Sequence, residues 1–212
     1  MKHISTTLFL LLFTFSALSQ FELSVGFEAN FKSSDKAEDI VPNSGLMLYG
    51  FNASLAYSIT PEFRLGLQSG GLFTSGHYIE NTTDPDTWEV LSSEEIQSKM
   101  SFVPMLLSVG TAVYDNNYRI VLEVAGGPYF GERTSGNIVE KKALWGIRPN
   151  VGLDYQLSNN LMLGIKSQAN LIFSKPEDFR SLDYDFGFDD GSNDKTAIIF
   201  LGASISLTYV FL

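Results

Sequence analysis

Between Trp145 and Phe173 the chain reads as two long runs of strict alternation separated by Ser158-Asn159-Asn160. In the first run Trp145, Ile147, Val151, Leu153, Tyr155 and Leu157 share one parity, and Gly146, Arg148, Asn150, Gly152, Asp154 and Gln156 share the other. In the second, Leu161, Leu163, Ile165, Ala169, Leu171 and Phe173 alternate with Gly164, Lys166, Gln168 and Asn170. A period of two puts apolar side chains on one face of a strand and polar ones on the other, and a short polar turn joins the arms as a β-hairpin. Each arm is about twice the usual strand length of roughly 5 to 6 residues. Tilted near 40°, such an arm crosses an apolar band roughly 25 Å tall, and Trp145, Phe173 and Tyr155 fall where aromatic girdles flank that band. A sheet that is apolar outside and polar inside has to close on itself in a bilayer, where no water satisfies a free strand edge.

The same pattern runs through the chain. Phe21 to Phe31 alternates completely, with Phe21, Leu23, Val25, Phe27, Ala29 and Phe31 outward and Glu22, Ser24, Gly26, Glu28 and Asn30 inward. Leu46 to Ser58 follows, then a turn preset by Pro61, and Phe63 to Phe73 returns with Arg64, Gly66, Gln68 and Gly70 inward. Met100 to Val113 is apolar on both faces, which leaves its phase open, and Pro104 suits a bulge or strand end. Tyr118 to Phe130 turns Ile120, Leu122 and Val124 outward and Arg119, Glu123 and Gly127 inward, and Thr196 to Leu212 closes the set with Ile199, Leu201, Ile205, Leu207, Tyr209 and Phe211 outward. The eight segments are joined by short turns at 59–62, 115–117 and 158–160 and by long polar connections at 32–44, 74–98, 131–143 and 174–195. An even strand count with alternating short and long connections predicts an all-β, eight-stranded antiparallel up-and-down transmembrane β-barrel, its short turns periplasmic and its long loops outside.

Export fits this reading. Lys2 and His3 precede an apolar run, Leu8 to Phe15, and Ala17-Leu18-Ser19 gives a small-x-small cleavage pattern before Gln20, so residues 1–19 are expected to be a cleaved signal peptide and 20–212 a single barrel domain. With no cysteine there is neither a disulfide framework nor a lipoprotein anchor. Removal of Lys2 with the signal takes the formal net charge from −10 to −11, which excludes nucleic acid as a partner. The acidic residues concentrate in 35–39, 80–95 and 177–194, within the expected loops.

A resemblance can be stated on two motifs, Phe102-Val103-Pro104-Met105-Leu106-Leu107 and, after a short turn, Val124-Ala125-Gly126-Gly127-Pro128-Tyr129. The pair resembles the outer membrane protein beta-barrel domain family, which includes PorT-like proteins. The resemblance implies an eight-stranded barrel in the outer membrane of a Gram-negative type cell envelope, with no shared catalytic residues. The sequence departs from that family at Ser108, where a basic residue is expected.

The inward face carries four acids, Glu22, Glu28, Glu123 and Asp154, against four bases, Arg64, Arg119, Arg148 and Lys166. Charges in a narrow lumen are costly unless paired, so these eight are expected to form an ion-pair network that plugs the interior, with Asp154 paired to its diagonal neighbour Lys166. Ser75 and His77 share a strand face and would be the residues of any lipid-modifying activity, since a hydroxyl nucleophile needs an imidazole within hydrogen-bond reach. The segment from Asp183 to Asp194 is rich in oxygen donors of the kind calcium takes, but its spacing is not that of an EF-hand, and solvation is the simpler reading. The expectation is a structural or interaction component of the cell envelope, in the outer membrane. It is expected to act as a monomer, with no catalytic residue, cofactor or metal. Its partners are expected to be outer-membrane lipid and, through the acidic loops, another envelope protein. A lipid-modifying enzyme and a narrow gated pore are the alternatives. A soluble lipocalin-like binder is least favoured, because the inward face is too ionic to hold an apolar ligand.

Overall fold

The computed structural model describes residues 20–32, 47–83, 90–174 and 196–211. They form eight strands: β1 Gln20–Lys32, β2 Met47–Ser58, β3 Phe63–Thr83, β4 Val90–Asp115, β5 Tyr118–Ser135, β6 Ile138–Ser158, β7 Leu161–Ser174 and β8 Thr196–Phe211. Every strand pairs antiparallel with its neighbours in sequence, and β1 pairs with β8 to close the barrel. The expected signal at 1–19, the connection 32–44 except Lys32, and 174–195 except Ser174, with its oxygen-rich stretch, lie outside the described residues.

Alternation sets which face is which. In β1, Glu22, Ser24, Glu28 and Asn30 are buried while Phe27 is 80% exposed. In β6, Trp145 is 68% exposed between buried Leu144 and Gly146. The polar side chains therefore line the lumen and the apolar ones cover the outside. β4 joins the scheme with its even-numbered residues inward, Phe102, Pro104, Leu106 and Ser108, the last opposite Gly66 of β3. Its inner face is apolar because it lines an apolar part of the lumen.

Aromatic residues bound the outer surface at two heights. Toward the short turns stand Phe21 against Tyr57 with ring centroids 4.9 Å apart, Tyr118 against Tyr155 at 5.1 Å, and Tyr209 against Phe211 at 4.9 Å. At the other end Phe51 stacks on Phe73 at 6.1 Å, and Trp145 is opposite Phe173 in the β6–β7 register. Trp145 and Tyr155 lie ten positions apart on one strand, which at about 3.3 Å per residue and a tilt near 40° separates the two belts by about 25 Å.

Two expected loops prove to be strand. β3 and β4 stay paired through most of 74–98, up to Thr83 opposite Val90, and β5 and β6 stay paired through 131–143 to a two-residue turn at Gly136-Asn137. Their polarity suggested loops, but a paired hairpin satisfies its backbone in water as well as in lipid, so polar composition marks where the strands leave the apolar band, not where they end. The turn needs a left-handed residue, and Gly136 supplies it with φ 54°. The turn between β6 and β7 is Asn159-Asn160, one residue shorter than expected. A bulge between Gln156 and Ser158 absorbs the difference and leaves Gly152 opposite Lys166 and Asp154 opposite Gly164.

Candidate functional site

The lumen is built in layers. Nearest the short turns, Glu22 of β1 is buried between two guanidinium groups: Arg64 of β3 donates from Nη2 to its Oε2 at 2.8 Å, and Arg119 of β5 donates from Nη1 to its Oε1 at 2.7 Å. Arg119 also donates from Nη2 and Nε to Oδ2 of Asp154 at 2.6 and 2.9 Å. The register makes this possible, because Arg119 stands directly opposite Asp154 in the β5–β6 pairing. Opposite Asp154 on the other side is Gly164, where a Cβ would collide with the Asp154 carboxylate. Two arginines thus hold two acids in one layer.

Above it lies a layer of amides around Glu28. Its Oε2 accepts from Gln168 Nε2 at 2.6 Å and from Asn52 Nδ2 at 3.2 Å, and Arg148 Nη2 approaches its Oε1 at 3.6 Å. Arg148 Nε and the Tyr129 hydroxyl donate to Asn170 Oδ1 at 2.6 and 3.0 Å, and Asn170 in turn donates to Asn30 at 2.9 Å. Arg148 is thereby tied to β1 and β7 while remaining 2% exposed.

Six of the eight expected lumen charges, Glu22, Glu28, Arg64, Arg119, Arg148 and Asp154, meet in these contacts. The other two do not join them. Lys166 and Glu123 are half-buried and make no ion pair among the described residues; Lys166 feels the charges of Asp154 and Glu123 without touching either, and its expected partner Asp154 is held by Arg119 instead. A planar guanidinium directly across the sheet engages the carboxylate with two nitrogens, which a diagonal ammonium cannot do.

The layer toward the long connections was not expected. Leu48, Leu72, Met100, Phe102, Leu106, Tyr129, Leu144, Ile172, Ile198 and Phe200 fill the lumen there as one apolar cluster, with Phe102 and Phe200 6.2 Å apart across it. The lumen is a charged well below and an apolar core above. The signal for it was the doubly apolar run of β4, which an exterior-only reading of hydrophobicity could not use. A further inward cation, Arg133 of β5, is 4% exposed, and the polar composition of 131–143 hides it from a reading by alternation.

Ser75 faces outward and is exposed, and the side chain of His77 lies outside the described residues. No group of three or more His, Cys, Asp or Glu among the described residues is placed to hold a metal.

No family model matches the sequence, and no curated protein is similar to it, so the narrower resemblance to PorT-like proteins rests on its two motifs alone. Solved structures are similar in fold. Neisserial surface protein A superposes with a TM-score of 0.53 at 11% identity, covering 90% of this chain and 95% of that one. The attachment invasion locus protein of Yersinia pestis, in complex with the heparin analogue sucrose octasulfate, gives 0.48 at 13% identity over 91% of this chain and 99% of its own. The outer membrane protein OprG from Pseudomonas aeruginosa gives 0.49 at 10% identity, over 91% and 96%. With its closed antiparallel ring of eight strands, the chain has the fold of the small outer-membrane β-barrels.

Proposed function

We propose that this protein is an integral outer-membrane barrel that does not conduct, and that serves the cell envelope as a structural or interaction component through the strand hairpins extending beyond the membrane. The observation that carries the reading is the exterior: an apolar surface all round the ring, bounded above and below by aromatic residues at the spacing of a bilayer's hydrocarbon. Water would not tolerate that surface, whereas lipid requires it.

The lumen supports the second half of the proposal. Side chains normally fill an eight-stranded barrel, and here an arginine–carboxylate layer, an amide layer and an apolar layer succeed one another along the axis. A narrow gated pore is the weaker reading, because an ion would have to cross the apolar layer dehydrated. A catalytic role has no support in the placement of Ser75. In this reading the chain is exported behind residues 1–19, stands as a monomer in outer-membrane lipid, keeps its short turns on the periplasmic side, and offers the acidic long connections to another envelope component. The two motifs that resemble those of PorT-like proteins lie side by side in β4 and β5, Pro104 opposite Tyr129, and give Phe102, Leu106, Ala125 and Tyr129 to the apolar lumen layer.

The test is fractionation with heat-modifiable migration. The protein should sediment with outer membranes, resist extraction by salt, and run faster on a gel unheated than boiled. Recovery in the water-soluble fraction without detergent would sink the proposal.

A further inference from the structure

Just above the upper aromatic belt the outer wall carries a groove of about 760 Å³ lined by Met47, Tyr49, Phe73, Ser75, Lys99 and Thr134, with Ser101 and Glu132 between them. Its two walls differ in chemistry. Tyr49 and Phe73 stand opposite each other in the β2–β3 register, and Phe73 stacks on Phe51 below, so this side of the groove continues the lipid-facing surface, while Ser101 and Glu132 carry the same rung on across β4 and β5. One register step higher, Ser75 of β3, Lys99 of β4 and Thr134 of β5 form a single cross-strand row, Ser75 opposite Lys99 and Lys99 opposite Thr134. Directly opposed side chains lie about 5 Å apart, so the row sets an ammonium between two hydroxyls over a width of about 10 Å. Lys99 is exposed and makes no ion pair among the described residues. The one carboxylate on the groove, Glu132, is held by Lys141 at 3.0 Å.

We propose that this groove binds a single anionic, phosphate-bearing membrane lipid, its headgroup on Lys99, Ser75 and Thr134 and its acyl chain against Tyr49 and Phe73. The proposal rests on the membrane reading above, because only a bilayer holds the apolar half of the ligand against those two rings. Charge and polarity select the occupant together. A free phosphate ion would leave the aromatic wall unused, a neutral lipid would leave the ammonium unpaired, and an anionic lipid meets both, with charge-assisted hydrogen bonds from the row of donors. The row sits above the belt at the height where headgroups begin, which places a phosphate and not an acyl chain beside the lysine.

The experiment uses the protein purified from membranes and reconstituted into nanodiscs of phosphatidylcholine containing a minor fraction of phosphatidylglycerol, with lipid retention on the released protein counted by native mass spectrometry. The wild type should retain one phosphatidylglycerol in preference to phosphatidylcholine. Lys99→Gln should reduce that preference about fivefold, the loss of one cation–phosphate contact, while Lys99→Arg should restore it. Glu132→Gln should raise the preference, an effect of opposite sign that a merely structural role for this wall would not produce. Both positions face outward, and heat-modifiable migration confirms that each variant is folded. Equal retention of the two lipids by the wild type, or unchanged preference in Lys99→Gln, overturns the inference and leaves the barrel reading standing. Failure to enter nanodiscs at all overturns both.

Discussion

Arg119 holds two carboxylates at once, so its removal leaves Asp154 with no cation in contact and Glu22 with Arg64 alone. Stranding a buried charge costs about 3 to 5 kcal/mol, and Arg119→Met should lower the stability of the barrel in detergent by that amount, read from urea or thermal unfolding. Lys166→Met should cost less than about 1 kcal/mol, because that ammonium makes no ion pair to lose. A double-mutant cycle separates the partners: Arg119→Met with Asp154→Asn should recover much of the loss, whereas Lys166→Met with Asp154→Asn should be nearly additive. Gly164→Ala belongs to the same layer, since its methyl group would displace the Asp154 carboxylate from Arg119. The charges themselves were legible from parity. Who pairs with whom was not, because the Arg119–Asp154 contact depends on the register between β5 and β6, which is set across a connection that polarity disguised as a loop. The β6–β7 register, fixed by a short turn and two clean alternations, was readable from Tyr155 back along the strands, while at the turn Ser158 and not Leu157 stands opposite Leu161.

At the scale of the elements, the strands outrun the apolar band. β3 and β4 reach Thr83 and Val90, and β5 and β6 turn only at Gly136-Asn137, so two hairpins stand above the upper belt. Because the chain has no cysteine, single cysteines report topology without background. Asn137→Cys should react with a membrane-impermeant maleimide on intact cells, and Asn116→Cys, in the short turn at the far end, should react only after the outer membrane is opened. The reverse result would turn the barrel upside down. Hairpin tips outside the band contribute little to closure, so replacing 134–139 by an Asn-Gly turn, which keeps the buried Arg133 opposite Glu140, should leave heat-modifiable migration intact. What the sequence reading lacked here was a reason to distinguish a polar strand from a polar loop. Above the band serines, threonines and charges stand on both faces of the strands, so the apolar period loses its contrast even where Ser98, Arg133 and Ser135 still point inward and are buried.

For the whole molecule, the proposal that the barrel does not conduct rests on the apolar lumen layer. The wild type should give no ion steps in planar bilayers, and Phe102→Ala combined with Phe200→Ala, which removes both rings that meet across the axis, should admit water and produce small, frequent conductance events. Steady conduction by the wild type would show that the layer does not seal. Ring closure has a consequence of a different kind. Phe21 stands opposite Phe211, and β1 and β8 stay in register from there to Lys32 opposite Phe200, a seam as long as the one between β1 and β2. A closed ring in which every strand has two paired neighbours has no privileged starting point. Circular permutants that link residue 211 to residue 20 and open the chain at Asn116-Asn117 or Asn159-Asn160 should therefore assemble the same barrel, and the order in which the strands emerge would then govern how quickly the ring closes while leaving its final form unchanged.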